Sequence, residues 1–207
     1  MKNMKNTVSE NLRIILASGS PRRTELLHTA GITHEVIVSG ADENVSEEVP
    51  SRLVEKLSAL KAREVFERVA DQADGGQIVV IGADTVVACD GQILGKPRDR
   101  EDAERMLEML SGRAHHVYTG VTLCGITDGK EKKITFSEES AVHVAKLSRE
   151  EIWSYIDSGE PMDKAGAYGI QGSFMKYVTG IEGDYFNIVG LPVCHLYQAL
   201  KQFLGQE

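Results

Sequence analysis

Two arginines, two serines, a glycine and a proline crowd into Leu16–Arg23, "LASGSPRR", directly after a short apolar run. One reading is helix punctuation, with Ser20 as the N-cap and Pro21 in the first turn. The other is an anion site. A helix N-terminus offers free N–H groups and partial positive charge, and Arg22 and Arg23 add permanently charged, forked donors. A second chemical signal is Asp84 inside "IVVIGADTVVAC" (Ile78–Cys89). A carboxylate in so apolar a strand needs a partner: a structural cation, a metal ion or a catalytic task. Gly82 beside it suggests close approach by backbone or ligand.

Three further groups carry polar chemistry, each with a plainer alternative. Lys96 in "ILGKPR" follows a segment that hairpins back from Asp84, yet it reads equally as a solvated turn. Asp42 and Glu43 in "SGADENV" form an acidic pair of a kind that usually faces solvent; turned toward Asp84, they could hold a divalent cation through oxygen ligands. "DKAGAYGIQG" (Asp163–Gly172) has three glycines that would let backbone approach a ligand, with Lys164 and Gln171 offering a charge and an amide. Its glycine spacing is not the dinucleotide fingerprint, and Pro97 after Lys96 excludes a P-loop. His115 and His116 read as ordinary strand residues.

The elements that must position these groups alternate between strand and helix. Leu12–Ala17 reads as a buried strand and Ser20–Ala30 as a helix stopped by Gly31. His34–Gly40 reads as a second strand. Pro50 to about Asp71 reads as a long amphipathic helix with Leu53, Leu57, Leu60 and Val65 on its apolar stripe, broken by Asp74-Gly75-Gly76. Ile78–Cys89 is the clearest strand, returning through Asp90-Gly91. Asp99–Leu110 is helical, and Val117–Ile126 and Ile134–Val144 form a β-rich pair across "TDGK". Ser148 and Glu151 make a capping box for a helix through Ile156, and a last helix runs from about Pro192 to Leu204. The pattern predicts an α/β fold with a mixed twisted sheet and flanking helices.

The bulk properties narrow the function. A chain of 207 residues can bury a substantial core, and residues 12–207 read as one domain behind a frayed extension over residues 1–11. A net charge of −8 leaves no broad basic footprint for nucleic acid, but permits a small anion held by local cations. Cys89, Cys124 and Cys194 are far apart and odd in number, and read as buried free thiols in a reducing, cytoplasmic setting. The polar first residues lack a signal sequence, and no apolar run approaches membrane-spanning length.

Taken in order, "LASGSPRR", "ADE", "LKA", "GADTVV", "GKP", "LSGRAHHVYTGV", "EPMDKAGAYGIQG" and "IEGDYFNIVGLP" resemble the Maf family of nucleoside triphosphate pyrophosphatases. Arg22, Thr85 and the loop holding Gln171 match its dTTP/UTP branch. The resemblance implies two lobes around a deep cleft, as in the inosine-triphosphate pyrophosphatases. It implies cleavage between the α- and β-phosphates, aided by a divalent cation such as Mg²⁺ or Mn²⁺. Asp84 matches the family's proton acceptor; Arg22, Thr85 and Gln171 match positions tied to base selection. Ser18, Arg23, Glu43, Lys61, Lys96 and Lys164 match the remaining polar cleft positions.

On that basis Arg23, Lys61, Lys96 and Lys164 would neutralise the triphosphate, and Ser18, Ser20 and the arginine pair would clamp its leaving phosphates. Asp84 would act as the base for the attacking water or as a metal ligand orienting it, and the division of metal binding and proton transfer between Glu43 and Asp84 is left open by the sequence. The expected partner is a nucleoside triphosphate, with neither nucleic acid nor membrane involved; the oligomeric state, homodimer included, stays open. The alternative is a nucleotide-binding regulator of cell division that uses the cleft without turnover.

Overall fold

The computed structural model describes residues 12–73 and 76–206, so the expected N-terminal extension and part of the Asp74–Gly76 break lie outside it. Its frame is a seven-stranded mixed sheet in the order β2-β1-β3-β5-β6-β7, with β4 also paired to β3. The central strands are β3 (Gln77–Cys89), β5 (Ala114–Thr127) and β6 (Lys130–Val144), all antiparallel neighbours. β1 (Leu12–Leu16) lies parallel to β3, while β4 (Gln92–Leu94) folds back on β3 through the tight turn at Asp90 and Gly91. These outcomes match the expected mixed sheet and the hairpin at Asp90-Gly91, with β5 and β6 longer than the runs read from the sequence.

The second strand does not run the expected length. β2 is only Glu35–Val36, and both residues are exposed. β1 ends at Leu16, where the chain turns into the Ser18–Ser20 corner. The backbone after Ile37 therefore has no ladder to join, and Val38 is 58% exposed. From there to Val49 the chain is irregular.

One helix covers one face of the sheet. α2 (Pro50–Val69) buries Val54, Leu57, Ser58, Ala62, Val65, Phe66 and Val69. Its Ala62, Val65, Phe66 and Val69 pack with Ile15, Ala17, Ile78, Val80 and Cys124. Leu60, expected on the stripe, is 40% exposed, and Leu53 is only partly covered. The reason lies in the strands beneath. A Cβ at Gly82 would sit 2.1 Å from the Ser58 carbonyl oxygen, and one at Gly120 would sit 2.3 Å from the Val54 carbonyl. The helix backbone thus rests on two glycines, and small side chains, not leucines, occupy the contact. A methyl group at either seat would force the helix away from the sheet.

The opposite face carries the larger core. It is built from α1 (Pro21–Thr29), α3 (Arg100–Leu110), α4 (Arg149–Asp157) and α6 (Val193–Phe203), with Leu27, Leu107, Ile152 and Phe203 almost fully buried. Ser148 and Glu151 form the expected capping box of α4. Two short elements carry no clear periodicity in the sequence: β7 (Val178–Glu182), which pairs with β6, and α5 (Tyr185–Val189). Cys89 and Cys124 are buried free thiols, but Cys194 is exposed on α6. Among the described residues no helix is long and apolar enough to cross a membrane.

Candidate active site

The cleft is a gap in the sheet. β1 pairs with β3 only as far as Ile81, and β4 picks up β3 again at Val87. Between those points one edge of β3 is free, and it borders a cavity of about 720 Å³. Strand alternation then divides the labour. Asp84 points to the α2 face, in step with Val80 and Gly82, whereas Thr85 points to the α1 face. The site therefore straddles the sheet, with one wall from the Ala17–Ser20 corner, α1 and α2 and the other from the turn after β4 and the loop after α4.

On the α2 side, Lys61 Nζ lies 2.6 Å from Asp84 Oδ1 and 2.9 Å from Glu43 Oε2. The close seating of α2 on Gly82 and Gly120 brings the lysine there. Asp42 parts company with Glu43: its Oδ1 accepts the Asn44 N–H in a local turn, while Glu43 faces the cleft. The Lys61 ammonium marks a point on which two carboxylates converge. Among the described residues no cluster of three metal-ligating side chains exists. Two carboxylates are nonetheless a fitting donor set for Mg²⁺ or Mn²⁺, which take oxygen ligands and complete their shells with water and substrate phosphate. Glu43 and Asp84 fit such an ion.

On the α1 side, Arg23 is buried, with 8% exposure. Its Nε donates to the Gly190 carbonyl at 2.8 Å, one Nη to Ser18 Oγ at 2.9 Å and the other to Thr85 Oγ1 at 3.0 Å. Burial lowers its pKa; the Asp84 charge counters that and the Arg22 charge adds to it. Ser20 occupies the N-cap position of α1, but its hydroxyl makes no cap bond, contrary to the capping alternative. Ser18 Oγ instead accepts the Ser20 N–H at 3.3 Å. The Ser20 hydroxyl is left to the cleft. Arg22 reaches across to Asp163 at 3.6 Å.

The loop after α4 supplies the far wall. Lys164 Nζ donates to Asp163 Oδ1 at 2.7 Å and to the Glu160 carbonyl at 2.8 Å. The Asp163 pKa is held low chiefly by that lysine. Gln171 lines the cleft and is exposed, as is Lys96, which has no ion-pair partner among the described residues. The Gly166 N–H donates to the Gly95 carbonyl at 3.0 Å, tying this loop to the turn that carries Lys96.

The three loop glycines are places where a side chain would collide with the protein itself. A Cβ at Gly166 would meet Val87, one at Gly169 the Lys164 stem, and one at Gly172 the Glu160 carboxylate at 1.8 Å. All three make room for the protein's own side chains, and Gly169 and Gly172 also border the cleft.

Apart from Asp42, the sequence-predicted site residues thus border one cleft: Ser18, Ser20, Arg22 and Arg23 at the corner, Glu43, Lys61, Asp84 and Thr85 along the floor, Lys96, Lys164 and Gln171 opposite. The family model for Maf-like proteins matches residues 13–203. This chain belongs to the Maf family. A dTTP/UTP pyrophosphatase of Agathobacter rectalis is 52% identical over 198 residues, covering 92% of this chain and 97% of that protein. A dTTP/UTP pyrophosphatase of Lachnoclostridium phytofermentans is 49% identical over 192 residues, 92% of this chain and 95% of its own. A solved nucleoside-triphosphatase/dITP/XTP pyrophosphatase of Mycobacterium abscessus aligns with 93% of this chain and 94% of its own. It does so at 15% identity and a TM-score of 0.38, too distant to bear on the fold.

Behind the cleft of this Maf protein stand supports that sequence reading passed over. Glu160 accepts from Tyr155 Oη at 2.9 Å and from both the N–H and the hydroxyl of Ser173, at 3.0 and 2.9 Å, clamping the two ends of the Gln171 loop. Burial opposes ionisation of Glu160, but the Ser173 and Tyr155 bonds and Lys164 leave its pKa low. Buried His115 touches Tyr168 Oη at 2.7 Å, fixing the same loop from below. Burial pushes the imidazole pKa down to about 4, and the neighbouring His116 and His143 add to the effect. Thr119 and Asn187 lie fully buried behind Thr85. Glu160, His115, Thr119 and Asn187 all fall within stretches that resemble the family, but apart from the polar contact that a strand histidine such as His115 can make, nothing in their types or spacing marked these roles.

Proposed function

We propose that this chain hydrolyses dTTP and UTP to the nucleoside monophosphate and pyrophosphate. The observation that carries the proposal is the convergence of Arg23, Lys61, Lys96 and Lys164 on one cleft whose floor holds Asp84. A triphosphate brings about four negative charges, and these side chains supply cationic donors from both walls. The family membership and the names of its relatives support the same substrate class.

In the reaction, water oxygen bonds to the α-phosphorus, the bond from that phosphorus to the bridging oxygen breaks, and pyrophosphate leaves with the bridging oxygen. Asp84 takes the water proton; its Oδ2 has no hydrogen-bond partner among the described residues, while Oδ1 is held by Lys61. The fixed orientation of Arg23, set by Ser18 and Gly190, places preorganised positive charge beside the corner where negative charge grows on the leaving group. Glu43 and Asp84 would hold a divalent cation, which supplies charge neutralisation on the phosphate oxygens when bound. Arg22, Thr85 and Gln171 are assigned to the base, and Lys96 and Lys164 to the phosphates. Residues 12–207 act as one catalytic domain, working in the cytoplasm.

The test is pyrophosphate release from a panel of nucleoside triphosphates with Mg²⁺ or Mn²⁺. Turnover of dTTP and UTP ahead of GTP, ATP and CTP is expected. Tight nucleotide binding without any pyrophosphate would replace the enzyme with the regulator that binds without turnover.

A further inference from the structure

Glu43 reaches the cleft from an irregular stretch of chain. After the Ile37 N–H donates to the Leu16 carbonyl at 3.1 Å, no helix or strand follows until α2. No residue of 37–49 is buried, so apolar packing does little to fix this stretch. Its backbone polar groups must find partners outside a strand ladder.

The polar side of α2 supplies them. Lys56 Nζ lies 2.6 Å from Glu47 Oε2, and Lys61 Nζ lies 2.9 Å from Glu43 Oε2. Further along the helix, Glu64 Oε2 accepts the Gly40 N–H at 3.1 Å, and Arg68 donates to the Val38 carbonyl at 3.3 Å. Arg68 also donates to Glu64 Oε1 at 3.2 Å, so these last two contacts brace each other. Burial opposes the Glu64 charge, but the Gly40 N–H, the Ser39 hydroxyl and Arg68 hold its pKa below the ordinary value. As the helix residues climb from Lys56 to Arg68, their partners descend from Glu47 to Val38. The stretch is laced antiparallel to α2, and Glu43 sits between the outer laces.

The Lys61 lace differs from the rest. Its ammonium occupies the point on which Glu43 and Asp84 converge, the same point a divalent cation would take. With a cation there, the flanking laces are what remains to hold Glu43. We propose that Glu64 and Arg68 are positioning residues, which fix the backbone leading to Glu43 and so keep its carboxylate in place for a divalent cation. The inference rests on the reading that Glu43 and Asp84 hold that ion. Neither Glu64 nor Arg68 lines the cleft, so both act through the chain they hold. A carboxylate fixed in advance gives up less freedom when the ion binds, and binds it more tightly.

The experiment titrates Mn²⁺ into the nucleotide-free protein, and separately measures the Mn²⁺ concentration for half-maximal pyrophosphate release from UTP. Wild type is compared with Glu64→Ala, Glu64→Gln and Glu67→Ala. Glu67 pairs with Arg63 and not with the irregular stretch, and its loss changes the charge of α2 by the same amount. Alanine is the strongest helix former, so neither alanine variant should disturb α2. Glu64→Ala should weaken Mn²⁺ binding by about fivefold or more and raise the half-maximal concentration by the same factor. Its kcat at saturating Mn²⁺ should stay within about twofold of wild type, because the cleft residues are untouched. Glu64→Gln, which keeps an acceptor for the Gly40 N–H, and Glu67→Ala should both bind Mn²⁺ within about twofold of wild type. Wild-type Mn²⁺ affinity in Glu64→Ala overturns the inference, as does equal weakening in Glu67→Ala, which would assign the effect to charge alone. Pyrophosphate from neither UTP nor dTTP would overturn the proposed function; the Mn²⁺ titration needs no turnover and decides this inference separately.

Discussion

The ammonium of Lys61 lies 2.6 Å from Asp84 and is shared with Glu43 on its other side. The side chains of Lys61 and Asp84 are 12% and 15% exposed, so the pair is largely desolvated. A buried pair of this kind is weak evidence for stability, since desolvation offsets much of the attraction. Its value lies in placement: the lysine holds the Asp84 carboxylate oriented at the floor of the cleft.

Asp84→Asn keeps the shape and one acceptor but cannot take a proton. Turnover should fall by at least about 100-fold, while the Kd for a non-hydrolysable UTP analogue changes by less than about threefold. Binding measured alongside pyrophosphate release checks this. Near-native turnover would remove Asp84 from the chemistry.

Lys61→Met leaves two carboxylates facing one another without their shared cation. Mn²⁺ alone should then stabilise the variant more than the wild type, by about 1 kcal/mol or about 2–4 °C in Tm for a chain of this size. Equal shifts in both proteins would mean that the ammonium and the metal do not share a position.

Arg23→Lys keeps the charge and loses the fork. A lysine cannot reach Ser18, Thr85 and Gly190 together, so stability in urea should drop by about 2–3 kcal/mol. kcat/KM should fall by more than about tenfold, because the corner loses its fixed donors. A stable, fully active variant would show that the guanidinium geometry is incidental.

His115 makes stability depend on pH. Its folded pKa of about 4 lies below the ordinary value of 6.5, so the fold favours the neutral ring. The contribution is complete above pH 6.5 and is lost as pH falls toward 4. Between pH 7.5 and 5 the linkage amounts to about 2 kcal/mol. His115→Gln does not titrate, and its unfolding free energy should fall by about that much less over the same interval. Parallel pH profiles for the two proteins would contradict the assignment.

How much of this was legible depended on whether a residue violated its surroundings. Asp84 stood out because a carboxylate in an apolar strand demands a reason, and the clustered polar corner at Ser18–Arg23 stood out likewise. The long strands were legible from their apolar and β-branched runs, though not their full lengths. The buried face of α2 was misjudged at Leu53 and Leu60 because hydrophobicity favours leucine, whereas a helix seated on glycines buries Ser58 and Ala62. β2 stopped short because its length depends on where β1 ends. Thr119 and Asn187 fall within stretches that resemble the family, yet their types alone marked nothing: threonine is ordinary in a strand, and the hydrogen bond between the two joins residues 68 apart in sequence.

The site of bond cleavage offers the most direct check. A single turnover of UTP in ¹⁸O-labelled water places one labelled oxygen in whichever product received the attack. Water delivered by Asp84 to the α-phosphorus puts the label in UMP and leaves pyrophosphate unlabelled. Label in pyrophosphate, or release of orthophosphate in its place, would mean that the cleft holds its triphosphate in some other register and that Asp84 does not face the α-phosphorus.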